Sequence, residues 1–199
     1  MLISVKHRLV IMAMPKCAST SLEVALAPRM DVITRGQPSV KHTSLRKYER
    51  FIAPYLSSMT KERFEVVSLM RDPIDWLHSW WRYRSRDAIP SPENSTAGLD
   101  WAAFVEVYLD GERKPADVGR QSRFMTGKDG TLGTDLIFRY ERLSGFVDWL
   151  EPRIGGGKIK LGQENASPKR SSPPLPDRLS QALQADLAYD YQIYDTLAR

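Results

Sequence analysis

Short apolar runs alternate with helix-like segments along the chain, and this alternation limits the fold more than any other feature. Three runs predict buried strands: Leu9–Met14, Phe64–Met70 and Asp135–Tyr140. The helices that follow them are Ser19–Ala27, Pro73–Arg86 and a segment reaching Trp149. Strands that alternate with helices predict an α/β fold, a three-layer sandwich with a mostly parallel central sheet and helices on both faces. At 199 residues we expect one domain over 1–199.

Weaker patterns predict the remaining elements. Two further strands are expected at Asp31–Thr34 and Lys158–Leu161. The further helices are Leu45–Leu56 (broken or ended near Pro54), Trp101–Leu109 (with Asp100 as N-cap) and Leu179–Leu197. Residues 88–98 are expected to form a mobile surface loop, and residues 163–176 a late loop.

The composition is typical of a soluble globular protein, and the lack of a membrane span or signal-peptide core predicts a cytoplasmic one. Hydrophobic residues make up 42% and charged residues 27%, and Leu9–Met14 is too short for a membrane span or a signal-peptide core. We therefore expect no membrane partner. Cys17 is the only cysteine, and the three histidines lack metal-ligand spacing, so no disulfide and no metal are predicted. The net charge of +5 weakly favours an anionic ligand.

The first strand runs into a turn crowded with small hydroxyl residues. Backbone N–H groups and the helix dipole make such a strand–helix junction attractive to phosphate. The residues predicted to cradle an anion are Lys16, Cys17, Ala18, Ser19, Thr20 and Ser21. The pattern G-x-x-x-x-G-K-[ST] is absent, which disfavours a Mg²⁺-dependent nucleotide triphosphatase. An alternative stays equally open: the hydroxyl residues simply cap the helix, and the Lys16 side chain is solvated.

A second candidate junction follows the strand Phe64–Met70. Arg71 lies just past the strand end, Pro73 begins the next helix, and Ser79 lies about two turns along it. An arginine fork can donate two parallel hydrogen bonds to a phosphate. Carboxyl ends of parallel strands share one edge of a sheet, so both junctions and Tyr140–Glu141 should face one crevice. The alternative is that Arg71 makes a surface ion pair and Ser79 has no special role.

The two junctions together resemble the PAPS-dependent sulfotransferases, where PAPS is 3′-phosphoadenosine 5′-phosphosulfate. PKCASTSL resembles the family's 5′-phosphosulfate loop, P-K-x-G-[ST]-[ST], and RDPIDWLHS resembles its 3′-phosphate motif, R-[DN]-P-x-x-R-x-x-S. The later RYERL is similar to a segment that ends a strand in these proteins. The matching residues are Pro15, Lys16, Ser19, Thr20, Arg71, Pro73 and Ser79. Ala18 stands where glycine is usual, and Trp76 where arginine is frequent.

The resemblance implies a P-loop-like α/β fold and a transferase that uses PAPS as cosubstrate and releases PAP, with no metal. It assigns charge stabilisation during transfer to Lys16, and 3′-phosphate binding to Arg71 and Ser79. It also implies that a basic late loop covers the nucleotide, which here points to Lys169 and Arg170.

Transfer to an alcohol also requires a base. His42 is the candidate, since a histidine titrates near neutrality, and several carbohydrate sulfotransferases resemble this in using one. It could equally cap or pack near the next helix. Glu141 is the alternative base, although we favour a structural role for it, paired with a cation. Lys41 is predicted to bind an anionic acceptor or the sulfonate, and Gln121 and Arg123 to contact the acceptor or the adenine.

The predicted acceptor is a small molecule or a carbohydrate, with no nucleic acid. Two other functions stay open at this stage: a small-molecule kinase of the P-loop type, and a non-catalytic nucleotide- or nucleic-acid-binding domain. The aromatic residues Trp80, Trp81 and Tyr83 are expected to be core residues or part of a possible homodimer surface.

Overall fold

A five-stranded mixed sheet lies at the centre of the computed structural model, which describes residues 1–87, 89, 91–111, 114–162 and 171–197. The strands are β1 (Leu2–Ser4), β2 (Leu9–Ile11), β3 (Val32–Ile33), β4 (Glu65–Met70) and β5 (Leu136–Arg139), in the order β3-β1-β2-β4-β5. The neighbours β2, β4 and β5 are parallel, with Val10 opposite Val66 and Val67 opposite Leu136. Strand β1 is antiparallel to both β2 and β3.

Strand β1 was not predicted, and it changes the character of the sheet. It joins β2 through four residues only, within which the Arg8 N–H bonds the Val5 carbonyl at 3.2 Å. So short a connection allows only antiparallel pairing. The expected mostly parallel sheet is therefore mixed in its pairing, and the parallel part is the β2, β4 and β5 half that carries both candidate junctions.

Ten α-helical segments occur in the described residues. They are α1 (Ser19–Leu26), α2 (Pro38–Lys41), α3 (Leu45–Lys47), α4 (Ala53–Thr60), α5 (Pro73–Arg84), α6 (Trp101–Leu109), α7 (Gln121–Phe124), α8 (Leu143–Ile154), α9 (Asp177–Asp186) and α10 (Ala188–Thr196). A π-helical turn, Tyr48–Ile52, joins α3 to α4 in one continuous segment. Short 3₁₀ turns occupy Ala27–Arg29, Pro92–Asn94 and Tyr140–Arg142.

Three predicted elements differ from the structure. The helix expected to stop near Pro54 continues to Thr60, because the proline falls in the first turn of α4, where a missing N–H costs little. The expected strand Lys158–Leu161 does not form, since the Ile159 N–H bonds the Glu151 carboxylate at 2.8 Å instead of a neighbouring strand. The expected helix Leu179–Leu197 is two helices that meet at the buried Leu187.

The alternating side chains of the sheet enter two separate apolar cores. Leu9 and Ile11 belong to the larger core, which also contains residues of α1, α5, α6 and α8. Val10 and Met12 point to the other face and pack with residues of the segment Leu45–Thr60. Helices therefore contact both faces of the sheet. A three-layer sandwich of the P-loop type stays a prediction.

The loop expected to be mobile has one firm anchor. Thr96 is fully buried, and its hydroxyl donates to the Trp81 carbonyl at 2.6 Å. The end of the 88–98 segment is thus fixed to α5, although residues 88 and 90 lie outside the described part. Within the described residues, no helix has the length and apolar character needed to cross a bilayer.

Candidate functional site

The first junction, between β2 and α1, has an unusual backbone conformation without glycine. Lys16 has φ 64° and Ala18 has φ 54°, both in the left-handed region. For residues with a Cβ this conformation costs about 1–2 kcal/mol each. Ala18, which stands where the family's glycine is expected, therefore keeps a glycine-like turn at the cost of strain. Such strain persists only where surrounding contacts impose it.

Two buried side chains hold this turn in place. The Trp76 indole N–H donates to the Pro15 carbonyl at 2.8 Å, and Trp76 is 3% exposed. The Cys17 side chain is also buried, and its sulfur lies 3.7 Å from Gln121 Oε1. Burial raises the pKa of the Cys17 thiol, so it stays protonated. Trp76 thus fastens the first junction to α5, and only the backbone of Cys17 is left to meet a ligand.

The N-terminus of α1 is not closed by any side chain. The first intrahelical bond runs from the Leu22 N–H to the Ala18 carbonyl at 2.9 Å, so the preceding amides have no acceptor within the helix. No side chain caps α1, and its first turn holds no acidic residue. Ser19 and Thr20 are half-buried beside these amides, whereas Ser21 is 7% exposed. This is the arrangement that attracts an anion to a helix start.

Lys16 lies against two aromatic rings at the same junction. Its Nζ is 4.0 Å from the centre of the Tyr83 ring and 5.7 Å from that of Trp80. Burial and then the charges of Arg86 and Arg71 lower the pKa of Lys16 to about 7. Burial first, and the neighbouring arginine charges second, therefore disfavour the charged form of Lys16, and an anion next to its Nζ would favour that form.

The second junction, between β4 and α5, is closed at its helix start. The Asp72 carboxylate accepts the Asp75 N–H at 2.9 Å and so caps α5. The backbone of Arg71 is clamped by the Gln121 amide, which accepts its N–H at 2.9 Å and donates to its carbonyl at 2.8 Å. This junction offers an anion the side chain of Arg71 instead of backbone amides.

The Arg71 guanidinium is only partly satisfied. It stacks 4.9 Å from the centre of the Tyr140 ring, and its Nε is buried with no hydrogen-bond partner in the described residues. Ser79 lies on α5 and is 4% exposed. The Arg82 Nε, one turn further along, is likewise buried and unpartnered. Unpartnered buried donors are uncommon in proteins, and the described residues hold others outside this junction, such as the Thr134 hydroxyl.

His42 is brought to the start of the first junction in a defined tautomer. Its Nδ1 lies 2.7 Å from the Ala13 carbonyl, which can only accept, so Nδ1 carries the proton. Burial lowers the pKa of His42, with the charges of Lys41 and Lys16 adding to the effect. The ring is therefore neutral at neutral pH, and Nε2 holds the free lone pair that a general base requires.

Lys41 also reaches the first junction, where it is already engaged. Its Nζ donates to the Thr20 hydroxyl at 3.0 Å and pairs with the Glu23 carboxylate at 3.0 Å. The Thr20 hydroxyl keeps its own proton for a further acceptor. Lys41 therefore contacts the predicted anion cradle through Thr20, and its own contact with an acceptor stays a prediction.

The side-chain polar atoms of two predicted site residues form hydrogen bonds within the protein. Gln121, expected at the acceptor or the adenine, uses both ends of its amide on Arg71. Glu141, the alternative base, accepts the Asp72 N–H and the Tyr194 hydroxyl, each at 2.9 Å, in place of the expected cation. Arg123 is exposed on α7. Lys169 and Arg170 lie outside the described residues.

Sequence reasoning missed Trp80 and Tyr83 as neighbours of Lys16. Both were expected in the core or at a dimer surface, and only Trp81 is a core residue, at 1% exposure. The missed signal is helical spacing: Trp76, Trp80 and Tyr83 recur at intervals of four and three, so they share the side of α5 that faces the first junction.

A cavity of about 450 Å³ lies away from these residues, between the segment Leu45–Thr60 and the start of β4. It contains none of the predicted site residues. In the described part of the chain, no group of three His, Cys, Asp or Glu side chains is placed to hold a metal ion.

Comparison with known proteins found no matching family model, no matching curated protein and no matching solved structure.

Proposed function

We propose that this protein is a PAPS-dependent sulfotransferase that transfers a sulfuryl group to the hydroxyl or amine of a small-molecule or carbohydrate acceptor. The proposal combines the sequence resemblance with the geometry of the two junctions. It includes the closer fold assignment, a P-loop-like three-layer sandwich with its ligand at the carboxyl edge of the parallel strands.

The observation that supports the proposal is the arrangement of two different candidate anion sites at neighbouring strand ends. The first combines the uncapped start of α1 with Lys16, and the second combines the orphaned Arg71 Nε with Ser79. Because β2 and β4 are parallel neighbours, both sites lie at the same edge of the sheet. PAPS has two separate anionic ends, a 5′-phosphosulfate and a 3′-phosphate, and so matches this pair.

In the proposed reaction the acceptor oxygen attacks the sulfur while the bond from sulfur to the bridging phosphate oxygen breaks. The electron pair of that bond stays on the phosphate of the departing PAP. Lys16 and the α1 amides stabilise the growing negative charge, and the acceptor proton passes to His42 Nε2. By analogy with phosphoryl transfer, positioning and charge stabilisation supply most of the rate.

A thermal-shift series with PAP, AMP, ADP and ATP tests the ligand assignment. We expect PAP to raise the melting temperature most, because only PAP carries the 3′-phosphate among these nucleotides. A screen of hydroxylated acceptors with PAPS then tests the transfer itself. Failure of millimolar PAP to stabilise the protein would contradict the proposal, and Mg²⁺-dependent ATP turnover would favour the kinase alternative.

A further inference from the structure

The helical segment Leu45–Thr60 exposes a stripe of large apolar side chains on its outer side. Phe51, Tyr55 and Met59 are 64%, 62% and 70% exposed, and we call them the outer stripe. They follow one another at intervals of four residues, so they lie along one side of the segment. The opposite side, which includes the buried Leu56, packs against the sheet. Packing of the segment against the sheet therefore leaves the outer stripe exposed on the surface.

Three cationic side chains lie on the same helical segment as the outer stripe. Arg46, Lys47 and Arg50 are exposed, and we call them the basic row. Across the described ranges none of the three forms an ion pair. The Arg50 guanidinium carbon lies 5.1 Å from the centre of the Phe51 ring. The nearby acid, Glu49, accepts the Lys128 N–H at 2.7 Å and so is turned toward another part of the chain.

Other exposed apolar side chains do not form such a group. In the described part of the chain, the others do not recur along a single helix or strand: Val24, Val32, Val40, Leu132 and Tyr189. The outer stripe is thus the place where the described surface concentrates large apolar side chains on one element.

The chemistry of this face indicates what covers it. Aromatic and methionine side chains beside a row of cations are typical of helices that lie in a membrane interface, where the apolar groups insert and the cations meet anionic headgroups. A second copy is less suitable, because packing this face against itself would bring two basic rows together.

We propose that the outer stripe and the basic row bind an anionic membrane surface, with the protein attached peripherally. This differs from the expectation of no membrane partner, which rested on the lack of a spanning segment. A helix lying in the interface needs no such segment. The inference is independent of the proposed transfer reaction, because it uses neither Lys16 nor Arg71.

Co-sedimentation of the full chain with lipid vesicles tests this proposal. Vesicles of phosphatidylcholine alone are compared with vesicles that also contain about 30% phosphatidylserine, at low and high salt. We expect binding to the anionic vesicles only, weakening as salt rises. Changing the three residues of the outer stripe to serine, or the three of the basic row to glutamine, should each weaken binding at least about tenfold.

Matched controls separate this face from general surface charge and apolarity. Val24→Ser with Tyr189→Ser removes exposed apolar side chains elsewhere, and Arg153→Gln with Lys160→Gln and Arg178→Gln removes three exposed cations elsewhere. Both controls should bind nearly as well as the unmodified chain, with circular dichroism verifying that every variant is folded.

Three outcomes would overturn the proposal. The first is absence of binding to anionic vesicles. The second is an equal loss of binding in the control variants, which would indicate general surface charge or apolarity instead of this face. The third is self-association that the outer-stripe variant abolishes while vesicle binding stays unchanged, which would assign the face to a second copy of the chain.

Discussion

The two strand–helix junctions at the carboxyl edge of the sheet are built in opposite ways, and each would have to bind an anion under the proposed function. The first leaves the start of α1 uncapped and stores strain at Lys16 and Ala18. The second is relaxed, with Pro73 in its first turn and the Asp72 carboxylate as cap, and its backbone is clamped by Gln121. A capped helix start cannot offer its amides to a ligand, so α5 contributes side chains where α1 contributes backbone.

This difference between the junctions indicates which substitutions each of them can tolerate. The first junction depends on the path of its backbone, and is therefore sensitive to the residues that fix its turn. The second depends on the position of one guanidinium and one hydroxyl. The predictions below test this division, beginning with the largest expected effect.

Lys16→Ala should reduce sulfuryl transfer by about 10³-fold, since it removes the full charge that faces the departing phosphate. Single-turnover rates with saturating PAPS measure this effect. The variant should fold, because burial already disfavours the charged form of Lys16. A folded variant that transfers at an undiminished rate would remove Lys16 from the mechanism.

His42→Gln should reduce transfer by about 10²-fold while PAP binding is retained, because the residue is proposed to act on the acceptor. In the unmodified protein, the rate should fall only below the ordinary histidine pKa of 6.5, since burial lowers the pKa of His42. A pH–rate profile that is the same in both proteins would contradict the assignment of the base.

Trp76→Phe should lower the free energy of unfolding by about 2 kcal/mol, through loss of the bond to Pro15 and of buried volume. Trp80→Phe is the matched control, because the Trp80 indole N–H has no hydrogen-bond partner in the described part of the chain. Chemical denaturation compares the two. Equal losses would show that the link between the junctions adds nothing.

Binding of PAP should weaken as pH rises from about 8 to 9, by up to tenfold, because the pKa of Lys16 in the free protein is about 7. Above that pH the free lysine is mostly neutral and must take up a proton when the anion binds. Lys16→Arg should flatten this dependence, since arginine stays charged. Calorimetry in buffers of different ionisation enthalpy detects the proton uptake, and its absence would refute this account of Lys16.

Ala18→Gly should raise the free energy of unfolding by about 0.5–1 kcal/mol, because glycine adopts φ 54° without a Cβ penalty. The control Ala25→Gly lies within α1 and should destabilise the protein by about 1 kcal/mol. Denaturation midpoints give both values. If both changes destabilise alike, the strain assigned to the first junction is absent.

Sequence patterns predicted the parts of the fold that depend on local chemistry. Burial and capping preferences within a few residues account for three kinds of feature. These are the strands that begin at Leu9 and Glu65, the Asp100 cap, and the helix that begins at Pro73. The same local patterns brought Lys16 and Arg71 to adjacent junctions. Strand β1 was missed because three residues give too little periodicity to separate a strand from a turn.

The remaining features of the site depend on contacts between distant parts of the chain. Gln121 clamps Arg71 from fifty residues away, and Trp76 reaches Pro15 across sixty-one. Neither contact leaves a local signature. The tautomer of His42 is likewise set by the Ala13 carbonyl, so its suitability as a base follows only from the folded geometry.

The most direct test of the central claim is a calorimetric comparison of PAP and AMP binding to the unmodified protein and to Arg71→Gln. The two nucleotides differ only in the 3′-phosphate. We expect Arg71→Gln to weaken PAP binding by at least about tenfold and to leave AMP binding unchanged, because a charged hydrogen bond to one phosphate is lost. An equal loss for both nucleotides, or no preference for PAP in the unmodified protein, would contradict the assignment of separate anionic ends to the two junctions.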